Sequence, residues 1–148
     1  MGKRLKVQVW IHSGSSRETR VLLLKTRPDR GAFWQPVTGS VEKGETLAAA
    51  ARREAGEETG LSFSGPLEPL DYSFSYEKGD HQFEEHAFAL RADAIGPESD
   101  GPVRLDPREH TEYRWLLPDE ALAMTRFPSN QKGLRLLLAR FSSPGVRP

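Results

Sequence analysis

The stretch from Gly39 to Leu61, GSVEKGETLAAAARREAGEETGL, reads as a short loop running into a helix, and the rest of the chain is arranged around it. Thr46 is placed to cap the helix N-terminus and Gly60 to stop it, so the spacing predicts a helix over Leu47 to Thr59. At ~100° per residue, Leu47, Ala50 and Ala51 fall in one sector, and Glu54, Glu57 and Glu58 fall in that same sector two turns later. The carboxylates therefore share the inward face. An acidic run is ordinarily a solvated face, but that reading would set the glutamates opposite Leu47 and Ala51, where Ala49, Arg52 and Gly56 lie instead.

Glu57 and Glu58 sit in the last turn, where the helix dipole disfavours anions, and Glu54 adds like charge one turn back. Arg53 can neutralise one carboxylate, either Glu57 at i+4 or Glu45 by folding back. One guanidinium cannot balance Glu45, Glu54, Glu57 and Glu58 together. Hard divalent cations with oxygen ligands are the natural remainder, and Mg²⁺ takes a few carboxylates while keeping positions for water and phosphate oxygens. The helix reads as a metal platform.

The spacing Gly39, five residues, Glu45, seven residues, Arg53-Glu54-Ala55, one residue, Glu57-Glu58, one residue, Gly60-Leu61 resembles the signature of the Nudix hydrolases at every constrained position. The resemblance implies an α/β fold, a Nudix-type α/β/α sandwich built on a mixed sheet. It also implies hydrolysis of a nucleoside diphosphate linked to a further moiety, with Mg²⁺ as cofactor and Mn²⁺ as a substitute. Carried over position by position, Glu54, Glu57, Glu58 and the Gly39 carbonyl match metal ligands, with Glu57, Glu58 and Arg53 in the catalytic set. Glu45 and Arg53 match residues that orient the cluster from behind. A general base or added ligand from outside the box is expected at Glu109, six residues before Trp115, with Glu112, Glu84 and Glu85 as alternatives. The plainer reading of Glu109 is a loop acid. A non-catalytic binding module would carry a substituted box, and this box is complete.

The chain's 148 residues suit one domain, residues 1–148, at 36% hydrophobic content. Its 21 basic and 21 acidic residues cancel, so no global field draws it to a membrane or makes nucleic acid an obligate partner. Cysteine is absent, which removes disulfides, thiolate nucleophiles and zinc-thiolate sites. The N-terminus MGKRLKVQVWIHSG alternates rather than forming an apolar signal core, and no run reaches transmembrane length. A cytoplasmic protein is expected.

Leu5, Val7, Val9 and Ile11 alternate with polar partners apart from Trp10, and a second strand over Thr19 to Thr26 follows as a plausible hairpin partner. The loop Arg27 to Gly31 leads into one short strand over Phe33 to Thr38. Tyr72, Phe74 and Tyr76 share a face of a strand that turns at Lys78-Gly79-Asp80 and returns over Gln82 to Arg91. An aromatic stripe at strand period is more often core than a stacking platform. His81 and His86 have no metal-site spacing. Ala94 to Pro107 reads as a mobile loop, followed by a strand ending near Leu117, a short helix from Pro118 to Met124, and a C-terminal helix from Pro128 to Phe141 with Leu134, Leu137, Leu138 and Phe141 on its apolar side.

Outside the box, Phe33-Trp34-Gln35, Val37 to Glu42, Glu109-His110, Tyr113-x-Trp115-Leu116 and Ser129-Asn130 resemble the dihydroneopterin triphosphate diphosphatase branch of that family. The resemblance implies a small-molecule triphosphate as partner, either the pterin triphosphate or dATP, and leaves room for a homodimer. Broader nucleoside triphosphate, dinucleoside polyphosphate or RNA 5′-end hydrolysis is the alternative within the family. A flat ring with a polar edge needs an aromatic beside amides and hydroxyls, for which Trp34, Gln35, Thr38, Ser129 and Asn130 are the candidates. Trp34 is equally readable as core. Arg27, with Lys3 or Lys6, is the candidate grip on the polyphosphate, and Arg27 is equally readable as a solvated loop charge.

Overall fold

Strand β1 (Arg4–Ser13) lies at the centre of a seven-stranded mixed sheet in a computed structural model that describes residues 2–14, 18–92 and 103–142. It runs parallel to β6 (His81–Arg91), from Arg4 opposite Phe83 to His12 opposite Arg91. On its other side it pairs antiparallel with β4 (Val37–Ser40), and only at its far end with β2 (Arg20–Thr26), through His12↔Val21 and Ser13↔Arg20. The expected first hairpin therefore exists only at its closed end. Beyond it, β2 leaves β1 and pairs with β3 (Trp34–Gln35) and β7 (His110–Leu116).

This fork corrects the expectation of one strand over Phe33 to Thr38. The segment is two strands on different partners, β3 on β2 and β4 on β1, with Pro36 between them. Proline has no N–H to give a ladder, so the pairing changes there. The break delivers Gly39 to the helix that follows.

Helix α1 (Leu47–Thr59) has the predicted bounds, with Thr46 Oγ1 accepting from Ala49 N at 3.1 Å and Gly60 left-handed at φ 69°. Ala50, Ala51 and Ala55 are fully buried against Val7, Val9, Ile11, Leu22 and Leu24. Small side chains at those positions let the helix lie close on the sheet. The opposite face is covered by α2 (Pro118–Met124) and α3 (Pro128–Ser142), whose Ala121, Leu134 and Leu137 pack on Trp10, Val21, Leu23 and Ala89. Trp10 breaks the alternation of β1 because both faces of that strand are buried.

The hairpin of β5 (Glu68–Lys78) and β6 turns at Gly79-Asp80 as the sequence indicates. Its aromatics depart from expectation. Tyr72, Phe74, Tyr76 and Phe83 stack successively at 5.4, 5.8 and 5.3 Å and are half-buried, with only Tyr72 touching the core. The loop expected over Ala94 to Pro107 lies outside the described residues as far as position 102. Its remainder is anchored, with Val103 and Leu105 on the α1-side core and Arg104 N donating to Thr59 O at 2.7 Å. No helix of the described residues is long and apolar enough to cross a membrane.

Candidate active site

Gly39, on β4, lies directly beneath the Glu54 side chain, and a Cβ at that position would collide with the carboxylate. The absence of a side chain is thus what lets the β4 backbone and the Glu54 carboxylate approach this closely. Arg53 holds the loop to the helix. Its Nε and Nη2 donate to Glu45 at 2.8 and 3.0 Å, Nη2 also donates to Ser40 O at 2.9 Å, and Nη1 reaches Glu57 at 3.2 Å and Glu54 at 3.3 Å. Both routes open to Arg53 in the sequence are used at once. Hydrogen bonds from Arg53 and then from Glu42 N hold the Glu45 carboxyl down at about 2.

The three helix glutamates do not share one environment. Glu58 is 5% exposed and its Oε1 has no hydrogen-bond partner. Burial first, then the charge of Glu54, pushes its carboxyl up to about 9, and Glu109 and Asp106 add to the rise. Burial raises Glu54 as well. Glu57 corrects the shared-face reading, because its side chain is 60% exposed and turned toward Arg53.

Glu109 sits within charge range of Glu58, at the start of the strand that carries His110, and its Oε1 meets Arg30 at 3.2 Å. The alternatives to it lie elsewhere. Glu112 is exposed and meets Lys25 at 3.3 Å. Glu85 pairs with Lys6 on the sheet face away from α1, where it accepts from Gln8 Nε2 at 2.9 Å and Tyr76 Oη at 3.0 Å. Glu84 meets His86 at 2.7 Å and Lys3 at 3.9 Å on the β6 side of β1.

Among the described residues no three acidic, histidine or cysteine side chains already converge as a metal-binding group. Glu57 and Glu109 are each turned to an arginine, which leaves Glu54 and Glu58 as the assembled part. The donor set nevertheless fits a hard cation. An orphaned, buried carboxylate oxygen beside a second carboxylate, with a backbone strand against it, is oxygen-rich, and its mutual repulsion is relieved by positive charge.

The substrate candidates divide between the two faces. Trp34 is half-buried and packs against the core on the α2–α3 face, with the Arg114 guanidinium 5.2 Å and the Lys25 ammonium 5.9 Å from its ring centre. Thr38 is half-buried and pairs with Gln8. Ser129 and Asn130 open α3, where Tyr72 Oη donates to Ser129 O at 3.1 Å and Ser129 Oγ to Asn130 Oδ1 at 3.3 Å. Arg27 is paired with Asp29 at 3.0 Å, and Lys3 and Lys6 lie on the β5–β6 side, at Ser75 and over Phe83. The structure does not bring Arg27 together with those lysines. Gln35 faces the α1 side, its Nε2 3.1 Å from His110 Nε2.

His110 is the site residue to which the sequence assigned no role. It is 2% exposed, and its Nδ1 lies 3.4 Å from Glu58 Oε1. Burial, then the Arg30 charge, holds its imidazole down to about 4. No strand period links it to Glu109, because Glu109 N and His110 N both donate to Asp106 O in a turn and β7 begins only at His110.

The NUDIX domain model matches residues 2–138. The chain belongs to the Nudix family, whose hydrolases act on phosphoanhydride bonds of small-molecule phosphates and generally need a divalent metal. Among its relatives is a protein of Myxococcus xanthus named octanoyltransferase, 40% identical over 138 residues that make up 90% of this chain and 35% of that protein. The chain therefore spans about a third of that relative's length. The dihydroneopterin triphosphate diphosphatase of Escherichia coli K12 is 32% identical over 126 residues, 80% of this chain and 83% of the relative. The solved structure of the E. coli dihydroneopterin triphosphate pyrophosphohydrolase superposes with a TM-score of 0.71 at 27% identity, covering 92% of this chain and 95% of that one.

Proposed function

We propose that the chain is a single-domain, Mg²⁺-dependent pyrophosphohydrolase whose substrate is dihydroneopterin triphosphate, with dATP as a secondary substrate, releasing the monophosphate and pyrophosphate. The observation that carries the metal chemistry is the orphaned Glu58 carboxylate beside Glu54 and Gly39. The 32% identity to the E. coli diphosphatase over most of both chains supports the substrate.

Glu54, Glu57, Glu58, Glu109 and the Gly39 carbonyl would hold the cation. A divalent ion bound there would neutralise the polyphosphate and activate the attacking water. Arg53 fixes Glu45, Glu54 and the Ser40 carbonyl into one unit, so that the loop and the helix present their oxygens together. Glu109, free to leave Arg30, takes the proton of the attacking water as general base. Trp34, Thr38, Ser129 and Asn130 remain the candidates for the pterin ring, and Arg27 for the polyphosphate. The enzyme is expected to work in the cytoplasm, in folate synthesis, with Mn²⁺ able to replace Mg²⁺.

The test is a comparison of kcat/KM for dihydroneopterin triphosphate, dATP, dinucleoside polyphosphates, ADP-ribose and 5′-triphosphorylated RNA. The pterin triphosphate should lead, with dATP next. Preference for any of the last three would overturn the substrate while leaving the metal chemistry standing.

A further inference from the structure

We propose that Gln35 and His110 form a positioning chain that orients Glu58 for the cation, so that Gln35 acts on the metal site rather than on the substrate. The inference rests on the metal-dependent reading of the site and adds to it two residues outside the box.

Three side chains from separate elements stand in line. Gln35 on β3 puts its amide 3.1 Å from His110 Nε2, and His110 on β7 puts Nδ1 3.4 Å from Glu58 Oε1 on α1. Glu58 Oε1 and His110 Nδ1 are both buried, and neither makes a hydrogen bond among the described residues, so each is the nearest polar atom offered to the other at 3.4 Å. Buried polar atoms are costly to leave unpaired.

The polarity of the chain follows from Glu58. With the cation bound, the Glu58 carboxylate is ionised and only accepts, so the nitrogen facing it must then carry the proton. A neutral imidazole has one N–H, which places it on Nδ1 and leaves Nε2 as an acceptor. The Gln35 NH₂ group then faces Nε2 as donor, which is the orientation the structure has. The reverse tautomer would set a bare lone pair against the carboxylate. The chain also spans the fork in the sheet, since β3 and β7 both pair with β2 while Glu58 belongs to the helix docked over β1 and β4. It therefore ties the ligand to β3 and β7 as well as to the helix that carries it.

Outer partners of metal ligands typically change metal affinity about 10–100-fold when removed. Gln35→Met keeps the size of the side chain and removes its donor. His110→Leu removes the chain, and His110→Asn returns an N–H near the Nδ1 position. Mn²⁺ affinity is measured by titration, kcat and KM on dATP separately, and the His110 tautomer from ¹⁵N-histidine spectra of the Mg²⁺-saturated protein. The expected results are an Nδ1–H tautomer, Mn²⁺ binding weakened about 10-fold by Gln35→Met, a lower kcat with KM little changed, and partial recovery in His110→Asn relative to His110→Leu. A substrate-contact role for Gln35 would instead raise KM and leave Mn²⁺ affinity unchanged, which overturns the proposal, as does an Nε2–H tautomer. Wild-type protein that binds no Mn²⁺ overturns the chain and the metal-site reading together, whereas Gln35→Met binding Mn²⁺ like the wild type overturns the chain alone.

Discussion

The protein buries two glutamates to the same depth on opposite faces of its sheet, and only one of them is provided for. Glu85 and Glu58 are each 5% exposed. On the face covered by α2 and α3, Glu85 accepts from Gln8 and Tyr76, and Gln8 Oε1 in turn accepts from Trp10 Nε1 at 2.6 Å, under Gly133 of α3. On the α1 face, Glu58 faces Glu54 and has an oxygen with no donor. A buried carboxylate with a complete set of donors specifies packing. A buried carboxylate without them lowers stability for its own sake, and is explained by a ligand that arrives later.

The same substitution should therefore have opposite consequences at the two positions. Glu58→Gln is expected to lower kcat/KM by more than the ~100-fold typical of losing an outer partner of a metal ligand, with little change in the melting temperature of the metal-free protein at neutral pH. Glu85→Gln should leave metal-dependent turnover within about threefold, yet destabilise the fold by about 1–3 kcal/mol, because an amide NH₂ would face either Tyr76 or the Gln8 NH₂. Turnover assays and thermal melts on both variants decide it, and equal behaviour would erase the distinction.

Glu109 sharpens the contrast from outside the helix. Glu109→Gln is expected to lower kcat about 100-fold with KM within about twofold, since a base acts mainly on the transition state. Glu112→Gln, whose partner is Lys25 on the other face, should be silent. If steady-state kinetics found the reverse, the base would lie across the sheet from the cluster.

A smaller effect is the pH dependence of metal-free stability. Glu58 titrates near 9 when folded against 4.5 as its ordinary value, so it takes up a proton on folding, and its contribution is lost as pH rises toward 9. Burial raises Glu85 in the same direction. His12 and His110, both lowered from 6.5 to about 4, have the opposite sign, but their stabilisation is lost only as pH falls below 6.5. Between pH 6.5 and 9 the metal-free melting temperature should therefore fall, and saturating Mg²⁺ should flatten or reverse the slope. Calorimetric scans across that window, with Glu58→Gln as the control that loses most of the slope, provide the check.

Much of α1 was legible because its information is local. Thr46, Gly60 and the buried alanines are read from spacing alone, and the helix has the bounds they indicate. The fork at Pro36 was not legible, since whether Trp34 and Val37 share a partner is decided by strands far away in sequence. Glu57 was misjudged for a different reason. Helical angle gives a sector, while an exposed carboxylate is turned by side-chain reach, here to Arg53 at 3.2 Å. The aromatic stripe of β5 was read as core because period identifies a shared face without telling whether a helix covers it. His110 was overlooked beside Glu109 because Glu109 lies in a turn that closes on Asp106, where no strand period tells which neighbour points inward.

The central claim is that Glu58 is held short of donors beside Glu54 so that a cation can complete the pair. It is tested most directly by titrating Mg²⁺ or Mn²⁺ into the metal-free protein calorimetrically, in buffers of different ionisation enthalpy, at pH 7 and again above pH 9. Because the Glu58 carboxyl is pushed up to about 9 without metal, binding at pH 7 should release about one proton per site, and that release should fade above pH 9 and in Glu58→Gln. Binding without proton release at pH 7, or release that survives in Glu58→Gln, would contradict the account.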